Sequence, residues 1–210
     1  EAATRVGYTF FEKPTLRQED VVRAQGYFDR IVTGSSWCER ILRDHGLVRL
    51  STIIQGIDTT RFNTGCAVKE RYKDRFVVFS GGKLELRKGQ DIVIRAFKVL
   101  QDRHPDVLLI NSWYNGWDDS IMTMRMSPYI TFDMPAGDYF RAIRRLLAAN
   151  GIDPGKVVTL PPIPHPRMAE IYRDTDCGLF PNRCEGGTNL VLMEYMACGK
   201  PAIASYCTGH

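Results

Sequence analysis

Phe76-Val77-Val78-Phe79-Ser80-Gly81-Gly82-Lys83-Leu84-Glu85-Leu86-Arg87-Lys88-Gly89 passes from an unbroken apolar stretch, through a Gly-bearing turn with two lysines, into a helical segment that begins at Asp91. An apolar run without polar alternation suits a strand covered on both faces of a parallel sheet. The following segment, 91–103, reads as a helix with Ile92, Ala96, Val99 and Leu100 at helical spacing. The alternation then repeats. A strand at 107–110 is followed by an irregular stretch at 112–135 and a helix at 138–150 that Gly151 ends. Next come a strand at 157–160, a short helix at 166–173 and a strand at 177–180. A helix at 189–198, stopped by Gly199 and Pro201, and a strand at 202–204 complete the series. Short apolar strands alternating with helices predict a doubly wound parallel α/β domain.

Upstream, the pattern predicts strands at 7–10, 29–33 and 50–54 and helices at 18–28 and from Ser36 to about His45. Ser35-Ser36 serves as the helix cap and Gly46 as its stop. Residues 59–74 lose apolar periodicity and gain Thr, Asn, Gly and charge, which marks a boundary. The expected organisation is the end of one Rossmann-like domain at 1–66 and most of a second at 67–210.

Composition narrows the classes. The 210 residues are 44% hydrophobic and 25% charged, as in ordinary globular proteins. No apolar run approaches the ~18 residues that a membrane-spanning helix needs, and the first residues lack a signal-peptide pattern. The net charge of +4 comes from scattered basic residues, with no block that reads as a nucleic-acid patch. The six cysteines, Cys38, Cys66, Cys177, Cys184, Cys198 and Cys207, form no Cys-x-x-Cys pair, and the four histidines are far apart. This argues against zinc and for reduced thiols in the cytoplasm, with Cys177 and Cys198 as small buried hydrophobes. The chain has no starting Met and stops in an expected loop after a strand, so a fragment is expected.

Two segments carry chemistry. Gly81 and Gly82 allow a sharp turn and close approach of a ligand, and Lys83 and Lys88 offer point charges to phosphate oxygens. The second segment is Glu185-Gly186-Gly187-Thr188-Asn189-Leu190-Val191-Leu192-Met193-Glu194. Thr188 or Asn189 can cap the helix, leaving N–H groups near Asn189, Leu190 and Val191 for an anion. Glu194 shares the helix face of that first turn. A carboxylate beside a phosphate is unfavourable unless it accepts hydrogen bonds from hydroxyls, so Glu185 and Glu194 point to a polyol. Together the segments suggest a nucleotide-sugar site.

This combination resembles retaining glycosyltransferases of the GT-B fold, in family 4. Their Gly-Arg-Leu-x-x-x-Lys-Gly pattern is matched by Gly82-Lys83-Leu84-Glu85-Leu86-Arg87-Lys88-Gly89, with Lys83 in place of Arg. Their Glu-x7-Glu motif followed by Ala-x-Gly-x-Pro is matched by Glu185, Glu194 and Ala197-Cys198-Gly199-Lys200-Pro201, with eight residues between the glutamates. Gly7-Tyr8-Thr9-Phe10-Phe11-Glu12, Ser35-Ser36-Trp37 and Gly56-Ile57-Asp58-Thr59-Thr60-Arg61-Phe62 are also similar, the last run resembling the end of the acceptor-side domain. The resemblance implies that Gly82, Lys83, Lys88, Gly187, Thr188, Asn189, Leu190 and Val191 bind the donor diphosphate. It implies that Glu194 holds the ribose, that Pro161, Pro162 and Ile163 lie near the base, and that Glu185 contacts the transferred sugar as the catalytic residue. The implied donor is a UDP- or GDP-linked hexose, used without a metal or other cofactor. The implied acceptor is a saccharide or a lipid-linked hydroxyl, which leaves peripheral attachment to the inner membrane surface open. Much of the acceptor-side domain and the closing C-terminal helix of such proteins are expected outside this sequence.

The alternatives are a GT-B sugar-nucleotide epimerase and a non-catalytic binding or assembly module. Asp174-Thr175-Asp176, a match to a metal-binding Asp-x-Asp, is expected to be structural at a helix end. Asp118-Asp119 is expected to be a solvated loop. Trp113, Tyr114 and Trp117 with Met122, Met124 and Met126 form either a sugar platform or the packing of a long loop.

Overall fold

The computed structural model describes residues 4–66, 68–134 and 137–210. The chain divides into two compact units. One holds the residues up to Gly56 with Cys184–Leu190 and Tyr206–His210, and the other holds Ile57–Arg183 and Val191–Ser205.

The first unit contains β1 (Val6–Thr9), α1 (Gln18–Tyr27), β2 (Arg30–Thr33), α2 (Ser36–Asp44) and β3 (Leu50–Thr52). Its sheet is parallel in the order β1-β2-β3. Val21 of α1, Leu42 of α2, Ile31, Leu47 and Leu50 form its core. Ser35 caps α2 by accepting the Cys38 N–H at 3.2 Å, and Gly46 ends the turn after it at φ +91°, both as predicted. β3 stops short of the predicted end, and Ile53 and Ile54 lie exposed.

The segment 184–190 is braced within this unit. Ser35 Oγ donates to the Gly186 carbonyl at 2.6 Å. The Glu185 N–H donates to Thr208 Oγ1 at 2.8 Å, and the Gly209 N–H to the Glu185 carbonyl at 2.9 Å. Gly186 allows a close approach here, since a Cβ on it would meet the Phe11 carbonyl oxygen at 2.4 Å.

The second unit follows β4 (Phe76–Gly81), α3 (Gln90–Arg103), β5 (Val107–Ser112), α4 (Asp118–Met122), α5 (Tyr139–Ala149), β6 (Val157–Thr159), α6 (Met168–Arg173), β7 (Cys177–Phe180), α7 (Leu190–Ala197) and β8 (Ala202–Ala204). Its sheet runs in the order β6-β5-β4-β7-β8, with every neighbouring pair parallel. One face packs Val78, Val107 and Leu109 against Val93, Ile94 and Phe97 of α3 and Ile143 and Leu146 of α5. The other packs Val77, Phe79, Leu108 and Ile110 against α6 and α7 through Met168, Tyr172 and Tyr195. Helices thus cover both faces, as the apolar strand runs require.

Local readings needed correction at three places. The buried stripe of α3 is Val93, Ile94 and Phe97, whereas Ala96 and Val99 of the predicted stripe are exposed. The stretch after β5 is ordered by α4 and a 3-10 turn at Thr123–Met126; Trp113 and Met124 are core residues, while Trp117 and Met126 face solvent. Cys198 is buried as expected, but Cys177 is only half-buried. Asp174 accepts the N–H groups of Glu70 and Arg71, both at 2.9 Å, and Asp176 accepts the Val77 N–H at 2.7 Å and pairs with Lys69 at 2.6 Å. Both carboxylates of the Asp-x-Asp match are therefore committed to structure.

Candidate functional site

In the second unit the chain runs outward from β4 through β5 to β6, then continues on the other side of β4 as β7 and β8. The strand order therefore reverses between β4 and β7. In open parallel sheets a crevice forms at such a switch point, outside the carboxyl ends of the strands. The first lysine-bearing segment leaves β4 at that edge, and the glutamate-bearing segment leaves β7 there.

The loop after β4 turns at Gly82, whose φ of +110° suits glycine alone. Gln90, buried at the start of α3, holds the loop from inside. Its Nε2 donates to the Lys83 carbonyl at 2.7 Å, and its Oε1 accepts the Glu85 N–H at 3.3 Å. The loop closes at Gly89, with φ +75°, where a Cβ would meet the Pro181 carbonyl oxygen at 2.1 Å. The Lys88 side chain passes beside Gly82, since a Cβ on Gly82 would lie 3.8 Å from Lys88 Cδ. The Lys83 ammonium sits 3.7 Å from the centroid of the Trp117 ring.

Arg183 ties this loop to the end of β7. Its guanidinium donates to Asp91 in a fork, Nη1 to Oδ1 at 2.8 Å and Nη2 to Oδ2 at 2.7 Å. Nη1 also donates to the Leu86 carbonyl at 2.6 Å, and the Arg183 N–H to the Arg87 carbonyl at 2.7 Å. Ser127 Oγ adds a hydrogen bond to Asp91 Oδ2 at 2.6 Å. Burial would push the Asp91 carboxyl up. The Arg183 and Ser127 hydrogen bonds and the Arg183 charge outweigh it and hold the carboxyl below its usual range.

The first turn of α7 abuts the end of β4. A Cβ on Gly81 would meet Val191 Cγ1 at 2.9 Å. One turn on, Glu194 is buried with 5% exposure. His165 Nε2 lies 2.7 Å from Glu194 Oε1, and since a carboxylate accepts, Nε2 carries the proton. Tyr172 Oη donates to Oε2 at 3.4 Å. Burial and the Glu194 charge raise the Tyr172 pKa, so its hydroxyl keeps the proton it donates. Pro161 and Pro162 are exposed, and Ile163 packs against the aromatic core just before His165. The loop at 161–163 thus leads directly to a side chain that touches Glu194.

Gly82, Lys83 and Lys88 follow β4, the loop at 161–163 follows β6, and Val191 and Glu194 lie on α7 after β7, all in the second unit. Gly187, Thr188, Asn189 and Leu190 belong with Glu185 to the segment grouped in the first unit. There Glu185 is buried and Asn189 Nδ2 lies 3.1 Å from His210 Nε2. Thr188 caps nothing, because its buried Oγ1 has no hydrogen-bond partner. The helix begins at Leu190, one residue later than predicted. Among the described residues no group of three or more His, Cys, Asp or Glu is placed to hold a metal ion. No helix there is long and apolar enough to cross a membrane. Sequence reasoning missed His165, Arg183 and Asp91. No local motif marks them, and each meets its partner only through the fold.

Residues 74–210 match the family described as Glycosyl transferases group 1, and the chain belongs to that family. The D-inositol 3-phosphate glycosyltransferase of Acidothermus cellulolyticus is 30% identical over 205 residues, which cover 92% of this chain and 41% of the relative. The GDP-mannose-dependent alpha-(1-6)-phosphatidylinositol monomannoside mannosyltransferase of Mycolicibacterium smegmatis is 28% identical over 166 residues, covering 73% of this chain and 37% of the relative. The chain thus spans about two-fifths of the length of these curated relatives. Among solved structures, a glycosyltransferase from Rickettsia africae superposes with a TM-score of 0.73 at 12% identity, over 98% of this chain and 52% of that one. Anabaena HepE in complex with UDP superposes with a TM-score of 0.71 at 18% identity, over 97% and 54%. Such likenesses establish the fold: Rossmann-like, as in part of a GT-B protein.

Proposed function

We propose that the protein is a retaining glycosyltransferase of family 4. It transfers a hexose from a UDP- or GDP-linked donor to a hydroxyl of a saccharide or lipid-linked acceptor, and this chain supplies donor binding. The division proposed is an acceptor-side part at 1–66 and a donor-binding domain at 67–210. The observation that supports the reading is that the loop with the two lysines follows β4 and the helix with the buried Glu194 carboxylate comes after β7, the two strands that flank the switch point. Lys83 and Lys88 neutralise the diphosphate as it leaves, with no metal required. Gly82, Gly187, Thr188, Asn189, Leu190 and Val191 offer backbone and hydroxyl donors to it, and the orphaned Thr188 hydroxyl suits that role. Glu194, oriented by His165 and Tyr172, accepts from the ribose hydroxyls. Pro161, Pro162 and Ile163 flank the base. Glu185 contacts the transferred sugar and stabilises positive charge at its anomeric carbon. The names of the relatives, one GDP-mannose-dependent and acting on a phosphatidylinositol mannoside, support a sugar nucleotide and a polyol or lipid acceptor. They also fit a cytoplasmic protein working at a membrane surface.

Titration with UDP and GDP by calorimetry, with and without a divalent chelator, tests the reading. One nucleotide should bind independently of metal. Glu194→Gln should weaken that binding about tenfold or more, as expected for hydrogen bonds to a charged acceptor worth about 1.5–3 kcal/mol. Unchanged affinity in a folded variant removes the ribose role.

A further inference from the structure

Lys83 and Trp117 are held to one another by more than proximity. Asn115, which is 2% exposed, donates from Nδ2 to the Leu84 carbonyl at 2.9 Å and accepts the Trp117 N–H on Oδ1 at 3.1 Å. One buried amide thus joins the residue after Lys83 to the backbone of Trp117. The same Nδ2 donates to Ser120 Oγ at 2.7 Å, and the hydroxyl in turn donates to the Trp117 carbonyl at 3.1 Å, locking the turn that presents the indole. On the other side, Gln90 grips the Lys83 carbonyl at 2.7 Å. Both side chains reach solvent, Trp117 with 61% exposure. Trp117 thus presents a largely exposed indole, from a backbone fixed at both its N–H and its carbonyl, 3.7 Å from one ammonium group. Trp113, four residues earlier, fills the core instead.

We propose that Trp117 is a positioning residue that seats the Lys83 ammonium for the donor diphosphate. The proposal rests on the donor-binding reading above. Lysine has a flexible four-carbon stem, and much of its value to a phosphate is lost in fixing that stem. An indole face 3.7 Å from the ammonium fixes it before the ligand arrives. The ring takes one side of the ammonium, and the N–H groups on the opposite side stay directed outward for phosphate oxygens. The attraction is electrostatic and needs the ring face, so phenylalanine should keep part of it and alanine none.

Calorimetry with UDP and GDP on the wild-type protein, Trp117→Ala, Trp117→Phe, Lys83→Ala and the Trp117→Ala/Lys83→Ala pair tests this. Trp117→Ala should weaken the bound nucleotide about two- to fivefold, the range of an exposed cation–π contact. Trp117→Phe should recover part of that loss, and Trp117→Ala should cost nothing further when Lys83 is already Ala. Equal affinity of Trp117→Ala and wild type, or an equal loss in the Lys83→Ala background, overturns the seat and leaves the donor reading standing. Failure of the folded wild-type protein to bind either nucleotide removes the donor reading, and this proposal with it.

Discussion

Replacing Arg183 by alanine should cost far more stability than its partial exposure suggests. The Arg183 side chain is 32% exposed, but its partner Asp91 is fully buried, and two hydrogen bonds join them in a fork. Truncation leaves the Asp91 carboxylate inside the unit with Ser127 as its remaining side-chain donor. Breaking a buried pair from one side costs about 3–5 kcal/mol, whereas a surface pair is worth about 0–1 kcal/mol. The Leu86 and Arg87 carbonyls also lose donors or their alignment, which pushes the value to the upper part of that range. Against a typical total of about 5–15 kcal/mol, the loss is readily measured by urea unfolding. The double variant Arg183→Met/Asp91→Leu should recover most of it, since an apolar pair of similar volume removes the stranded charge. The acid side offers an independent check. The folded-state pKa of Asp91 is depressed, so its pairing contributes fully above the ordinary aspartate value and is lost as pH falls through the folded value. The gap between wild type and Arg183→Ala should therefore shrink as pH falls, beginning where the stranded carboxylate of the variant takes up its proton and ending where that of the wild type does. A loss under about 1 kcal/mol at pH 7, or a double variant as unstable as the sum of the single ones, refutes the reasoning.

Two further outcomes follow from the core and the loop. Phe79 stacks on Tyr195 at 5.4 Å and meets Tyr172 edge-on at 5.0 Å, so Phe79→Ala should lower unfolding free energy by about 3–5 kcal/mol in the same urea assay. Gly89→Ala forces a left-handed φ of +75° on an L side chain and drives its Cβ to 2.1 Å from the Pro181 carbonyl oxygen. It should cost at least about 2 kcal/mol and loosen nucleotide binding through Lys88, and a wild-type melting temperature would contradict it.

What the sequence disclosed and what it hid differ in physical kind. The strands of the second unit were legible because β4 and β5 are buried on both faces and so lack polar alternation. Lys83 and Lys88 after β4 and Glu194 in α7, the residues proposed to meet the donor, stood out in the sequence by residue type beside glycine-bearing turns. The face of α3 was misread because Ala96 and Val99, apolar but exposed, complete a helical period as well as the buried Val93 and Phe97 do. Of the two cap candidates, Thr188 is ruled out by its unpartnered hydroxyl, and the sequence could not rank it against Asn189, which directly precedes the helix.

The groups that orient the chemistry lay beyond any local pattern. His165 reaches Glu194 across 29 positions, Arg183 reaches Asp91 across 92, and Asn115 reaches Leu84 across 31. Each joins a motif residue, or its neighbour, to another element by a buried or half-buried polar contact. Such contacts are strong in the interior only if every member is present. A motif residue transplanted without its distant partner would keep its chemistry and lose its aim. For Glu194 this means that the carboxylate can serve the ribose role proposed for it only while His165 and Tyr172 hold its two oxygens in place, so the aim of that side chain resides in the fold of the unit rather than in the motif that marks it.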